Sequence, residues 1–497
     1  YPLSEYTMYG AVPVETIKRH LLTLKAEGKL HRVRMLLLTN CTFDGVTYNT
    51  RRTMEEVLAI KPDIIFVWDE AWFAFAQFTP TSRRRMGMDA ARELRKRYKT
   101  PEYRKKYEQW KEENKGIEND PERMATTRLL PDPAQARLRV YSTQSTHKTL
   151  TALRQGSMIH IHDMEFENEA EDAFLEAYMT HTSTSPNYQI LASLDVGRRQ
   201  VELEGYELVS KSIELAMMLR ERVHTHPLLR KYFKVLGPGS LIPKPYRQSG
   251  IDYYYDLQTG WARMEDAWYH DEFALDPTRV TLQIANTGMD GDTFRAFLQE
   301  HHDIQINKTT RNTVLFMIHI GTTRGAIAQL IESLTNIASD LEERHEDIKA
   351  VARGIHNTRV NELSFKLPPL PNFSAFHEAF REDPSAKSIE GNMRKAFFLS
   401  YDGTLCTYLK MGGSITKAIE EGKDVVSATF VTPYPPGFPV LVPGQRVSKE
   451  IMQFLNALDV KEIHGYNPEY GLKIFTEEAL EKSNDMSTTQ IAELASG

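Results

Sequence analysis

Lys148 stands in a run of hydroxyl and imidazole side chains, TQSTHKT at 143–149. A lysine amine attacks carbonyls only when part of it is unprotonated near neutrality, and partial burial or neighbouring cations bring this about. Ser145, Thr146 and His147 add groups suited to hold a phosphate. The plain alternative is a surface lysine in a polar loop. Asp69 lies in WDEAWFAF, among Trp68, Trp72, Phe73 and Phe75, where an unpaired carboxylate is costly to bury. It could cap a helix. It could also face a protonated ring nitrogen, a pair worth about 4 kcal/mol at ~4 Å and an effective dielectric near 20. Glu70 reads as a neighbour pointing elsewhere.

A second hydroxyl-rich stretch, HTSTSPN at 181–187, offers Ser183 and its neighbours to a phosphate, or is a turn with Ser and Thr caps. His160 and His162 share one face of an expected strand. No third ligand accompanies them, so they read as structural and no metal site is expected. The chain shows no Gly-rich nucleotide loop, Ser-His-Asp arrangement or HExxH motif.

The elements that must position these groups are legible as apolar runs. Residues 33–40 (VRMLLLTN), 63–68 (DIIFVW) and 138–142 read as buried strands, and 53–60 has helical spacing closed by Pro62. Strands alternating with helices predict a parallel sheet, with ligands beyond the carboxyl ends of its strands. Those ends are Thr39–Asn40, Asp69–Trp72 and Ser142–Lys148. Further on, 158–162 predicts a strand, 169–179 an acidic helix and 198–223 a long helix leading to a second domain. That domain is expected to mix strands at 279–284, 313–320 and 425–432 with helices at 292–301 and 326–343. The proline-rich stretch at 432–444 is too rigid for an interior strand or helix. Residues 83–111 carry 12 Lys or Arg against four Asp or Glu and predict an exposed helical insertion.

A length of 497 residues predicts two or three domains. No apolar run approaches the ~20 residues of a membrane span, and no secretory signal is visible. With Cys41 and Cys406 the only cysteines, a disulfide framework is excluded and a cytoplasmic setting is expected. A net charge of −6 gives no reason to expect nucleic acid.

Five blocks occur together in order: TNCTFDGVTYN (39–49), WDEAW (68–72), STQSTHKTLTALRQGSMIH (142–160), EAYMTHTSTSPNYQILAS (176–193) and PYPPGFPVLVPG (433–444). Together they resemble the bacterial ornithine/lysine/arginine decarboxylases of pyridoxal-phosphate (PLP) fold type I, and Ser145-x-His147-Lys148 is the most specific part. The resemblance implies an α/β, mostly parallel PLP-binding sheet domain over 1–205, interrupted by a charged insertion at 83–130. An α+β C-terminal domain over 206–497 would follow. It implies that Lys148 binds pyridoxal 5'-phosphate as a Schiff base. Asp69 would hold the pyridine nitrogen, Ala71 would lie on the ring face and Trp72 would line the pocket. Ser145 and His147 would hold the phosphate, joined by Ser183 from a second copy; Asn40 and Thr42 fall near the cofactor in the same pattern.

Some features depart from that pattern. The family's N-terminal wing domain, its Gly-Thr-Ser phosphate loop and a ring-stacking histidine are expected to be missing from this sequence, or supplied by a separate chain. Gln445 stands where the family has a glutamate. The activity expected is α-decarboxylation of arginine, lysine or ornithine to the amine and CO2, in a homodimer or higher oligomer. Another fold type I PLP enzyme, such as an aminotransferase or lyase, and a non-catalytic assembly subunit are the alternatives.

Overall fold

Short apolar runs bounded by polar residues form the sheet that the rest of the first unit is built on. The computed structural model describes residues 1–347, 350–411, 413–434, 437, 439–457 and 462–485. The chain divides into two compact units. The first holds Tyr1, 10–283 and 315–346, and the second 2–9, 284–314 and 347–497.

In the first unit, helix α1 (Val14–Ala26) precedes strand β1 (Met35–Thr39), the short strand β2 (Val46–Tyr48) and helix α2 (Thr50–Leu58). Asn49 caps α2 by accepting the Arg52 N–H at 3.1 Å. Strand β3 (Ile65–Asp69) follows, then helices α3 (Gly87–Tyr98) and α4 (Pro101–Glu113), and strands β4 (Arg139–Ser145) and β5 (Ser157–Asp163). The sheet order is β1-β3-β4-β5. β1, β3 and β4 are parallel, with Thr39 beside Asp69 and Asp69 beside Thr143. β5 returns antiparallel to β4, pairing Ser142 with His160. The hydrophobic run at 158–162 thus makes an antiparallel edge on an otherwise parallel sheet.

The basic stretch at 83–111 is only partly the solvated insertion that its charge predicts. Ala90, Ala91, Leu94 and Tyr98 recur at helical spacing and are buried along one side of α3. At the start of α3, a Cβ on Gly87 would stand 2.4 Å from the Trp68 ring, so only glycine lets the helix approach the sheet this closely. Arg85 is fully buried. It donates to the carbonyls of Trp268, Thr47, Glu272, Ala267 and Asp271 at 2.8–3.2 Å. Of the 83–130 segment, α4 has the solvated character expected, with Tyr103 its one buried residue. At the other end Leu129 and Leu130 are again buried.

Helix α5 (Glu171–His181) is followed by α6 (Tyr188–Thr225). The boundary expected between 205 and 206 falls inside α6, whose buried residues Val201, Val209, Leu215 and Leu219 form one continuous stripe. The division by contacts comes instead after Gln283.

The second unit is α+β. Helix Gly291–His302 is capped by Asp290, which accepts the Thr293 N–H at 2.9 Å. A three-stranded antiparallel sheet joins Cys406–Leu409, Gly471–Phe475 and Tyr466–Asn467. The strand expected at 425–432 does not form as a unit. Val426, Ser427 and Val431 make isolated bridges to Arg446, Ile474 and Leu441. A strand exists only over Thr432–Tyr434, paired with Glu462–His464. Pro433 is tolerated there because a two-stranded ribbon leaves one side of each strand unpaired. Residues 435, 436 and 438 of the 433–444 block lie outside the described residues.

Replacing Arg85 by Met would remove the guanidinium donor from five carbonyls, of which those of Ala267 and Glu272 keep a backbone N–H. Arg85→Met is expected to lower unfolding stability by about 3 kcal/mol or more, as read by denaturant titration. A change under about 0.5 kcal/mol would show that the buried guanidinium does not hold these segments.

Candidate active site

The parallel register brings three polar strand ends into one row, and side-chain alternation sorts them by face. Phe66 and Trp68 point to the α3 side and are buried, so Glu70 continues on that side while Asp69 faces the other. The Asp69 carboxylate is oriented by its own loop, accepting the Ala71 N–H on Oδ1 at 3.0 Å. Ala71 is half-buried. Trp72 is the hub of the site. Lys148 Nζ lies 4.6 Å from its ring centroid, Arg279 Cζ lies 5.2 Å from the same centroid, and Phe43 packs edge-on at 5.4 Å.

The Lys148 amine is half-buried, and burial is the main cause that lowers its proton affinity. The Asp69 charge works against this and the Arg279 charge works with it. Asp69 is therefore among the charges that bear on the Lys148 amine.

Around Lys148 the hydroxyl loop is tightly packed. Ser145 and Thr146 are buried, and Thr146 Oγ1 and Thr149 Oγ1 have no hydrogen-bond partner. Buried hydroxyls without partners are unusual and mark a place for an acceptor. His147 Nδ1 lies 3.2 Å from the Gly156 carbonyl, to which it must donate, leaving Nε2 free for a second contact. Ser183 is not brought to this cluster. It is exposed, and its Oγ both accepts from the Ser185 N–H and donates to the Ser185 carbonyl. Thr42 Oγ1 is used locally, accepting the Val46 N–H at 3.0 Å. Gln445, in the second unit, is committed to a turn, accepting the Val442 N–H at 2.9 Å.

Two residues were not singled out by the sequence. Glu70, read there as an uninvolved neighbour, is a fully buried hub. It takes hydrogen bonds from Asn40 Nδ2 (3.2 Å), the Gly87 N–H (2.7 Å), Ser142 Oγ (2.7 Å) and Gln144 Nε2 (3.1 Å). Asn40 also donates to the Arg85 carbonyl, and Gln144 Oε1 accepts from His160 Nε2 at 3.2 Å. Thus Asn40 and His160 serve the support beneath the site. Strand alternation between 69 and 70 was the available signal. Arg279 is the second, fully buried, and a charge opening an apolar run gave no sign of its neighbours.

Burial pushes the Glu70 carboxyl above the ordinary range, against the pull of its four donors. Its contribution to stability is then complete below the usual carboxyl pKa and is lost as pH rises through the folded value. Glu70→Gln puts an amide donor among these donors and is expected to cost about 1–3 kcal/mol. The melting-temperature gap to the parent should be widest near pH 4 and narrow toward pH 8. A gap that widens with pH would contradict this.

Comparison with known proteins gives this geometry a context. The Orn/Lys/Arg decarboxylase major-domain model matches residues 3–99 and 122–326, and the C-terminal-domain model of the same family matches 413–473. The unmatched stretch between the two major-domain segments contains the whole of α4. A lysine decarboxylase of Pseudomonas aeruginosa is 24% identical over 486 residues, covering 92% of this chain and 57% of the relative. The biodegradative arginine decarboxylase of Escherichia coli is 25% identical, covering 82% and 52%. The chain thus spans little more than half the length of these relatives. The crystal structure of the Francisella novicida lysine decarboxylase shares the fold, with a TM-score of 0.60 at 24% identity over 95% of this chain and 62% of that one. On the extent of the family match, this chain belongs to the Orn/Lys/Arg decarboxylase family.

Proposed function

We propose that this chain carries the Lys148-centred site of a PLP-dependent, fold type I decarboxylase. It would convert arginine, lysine or ornithine to the corresponding amine and CO2. The observation that carries the reading is the seating of Lys148 Nζ against the Trp72 ring, with Lys148 and Asp69 at the ends of adjacent parallel strands.

The residues fit pyridoxal 5'-phosphate on chemical grounds. Lys148 offers an amine whose proton affinity is already lowered, suited to bind an aldehyde. Asp69 offers a carboxylate for the pyridine nitrogen, with Ala71 and Trp72 alongside. Ser145, His147 and the unpartnered Thr146 hydroxyl offer a phosphate cradle, to which Ser183 of a second copy would add in a homodimer. The bound cofactor supplies an electron-poor ring that accepts the electron pair left when CO2 departs.

The chain's own residues prepare that event. Asp69 holds a proton at the ring nitrogen, and its Oδ1 contact with the Ala71 N–H keeps it aimed. Trp72 limits water around the Lys148 amine. Lys148, partly neutral, takes and returns a proton near the substrate α-carbon.

The test is CO2 release from the cofactor-supplemented chain with each of the three amino acids. One of them should be turned over, with Lys148→Ala reducing it to background and Asp69→Ala costing up to about 1,000-fold, the equivalent of about 4 kcal/mol. Turnover surviving in Lys148→Ala, or a keto acid as the product, would reject the reading.

A further inference from the structure

Arg279 is bound in an unusual way for a buried arginine. In Arg85 and Arg220, also buried, every guanidinium nitrogen has a carbonyl acceptor: Arg85 has five, and Arg220 has those of Pro277, Leu236 and Arg279. Arg279, equally buried, makes one good hydrogen bond, from Nη2 to the Trp72 carbonyl at 3.1 Å. Its Nε stands 3.4 Å from Asp276 Oδ2, a long contact, and its Nη1 is buried without a partner. The other oxygen of Asp276 is occupied by the Thr278 N–H (2.9 Å) and hydroxyl (2.7 Å). Nη2 also lies 4.0 Å from Cys41 Sγ, a thiol that burial pushes up to about 12 and so keeps neutral.

Arg279 therefore holds an incompletely balanced charge, and its best contact is to Trp72. Its Cζ is 5.2 Å from the Trp72 ring centroid, and Lys148 Nζ approaches the same ring at 4.6 Å. We propose that Arg279 is a positioning residue of the Lys148 site, holding the Trp72 wall by its carbonyl and ring and placing a second cation beside the reactive amine. The inference rests on the reading of Lys148 as that amine.

The charges acting on Lys148 are Asp69, which favours its protonated form, and Arg279, which opposes it. Removing Arg279 leaves Asp69 unopposed, so the amine should hold its proton to higher pH. Removing the Asp276 charge frees the guanidinium from its carboxylate neighbour and should act in the opposite direction. A residue that only filled space would do neither.

The experiment is trace acetylation of the full chain across pH with acetic anhydride, reading the modified fraction at Lys148 by peptide mass spectrometry. The parent midpoint should lie below that of exposed lysines. Arg279→Met should raise it by about one pH unit, the scale of a like charge removed at close range, and Asp276→Asn should lower it. An unchanged midpoint in folded Arg279→Met overturns the proposal, as does a parent midpoint equal to that of exposed lysines. If Arg279→Met does not fold, an unchanged or raised midpoint in Asp276→Asn overturns it. The reading of Lys148 itself fails separately, if Lys148→Ala keeps the visible absorbance of bound cofactor.

Discussion

The parallel pairing of β1, β3 and β4 is the constraint on which the site depends. In-register strands that end together put Thr39, Asp69 and Thr143 in one row. The period of two along β3 then separates two consecutive carboxylates. Asp69 goes to the opposite face, and Glu70 goes beneath the sheet to gather four donors from three segments. A slip of one residue would exchange their places and put Asp69 in the buried network. The close approach of α3, which Gly87 permits over Trp68, prevents that slip by fixing what lies on the lower face.

Above the sheet, Trp72 has charged groups around it. A lysine and an arginine approach one ring, and a carboxylate two residues earlier acts on the lysine. Like charges brought together in a partly buried place favour loss of a proton from the weaker acid-holder, which is lysine, because arginine does not give its proton up. Burial alone would lower the amine's affinity, and Asp69 alone would restore it. The balance between them sets how much free amine exists near neutrality.

Much of the frame was readable because strands buried in a sheet are continuous apolar runs: 33–40, 63–68 and 138–142 became strands within one to three residues. The loop holding Lys148 and the position of Asp69 followed from where those runs stop. Tertiary contacts outweigh local composition elsewhere. Arg85 sits in a strongly basic stretch, yet carbonyls from distant segments bury it. Arg279 opens an expected strand with nothing nearby in sequence to reveal Trp72. The run at 425–432 is apolar because it lines a core beside Leu472 and Ile474, and isolated bridges suffice to hold it there. Ser183 lies in an exposed turn of its own chain, so its expected service to a second copy cannot be derived from local pattern at all.

The most direct measurement of the central claim is borohydride reduction of the chain after loading with pyridoxal phosphate, followed by peptide mass mapping. The account predicts the phosphopyridoxyl mass on the peptide carrying Lys148 and on no other, with Asp69→Asn weakening loading but leaving the modified residue unchanged. Stoichiometric label on a different lysine, with Lys148 unmodified, would contradict it.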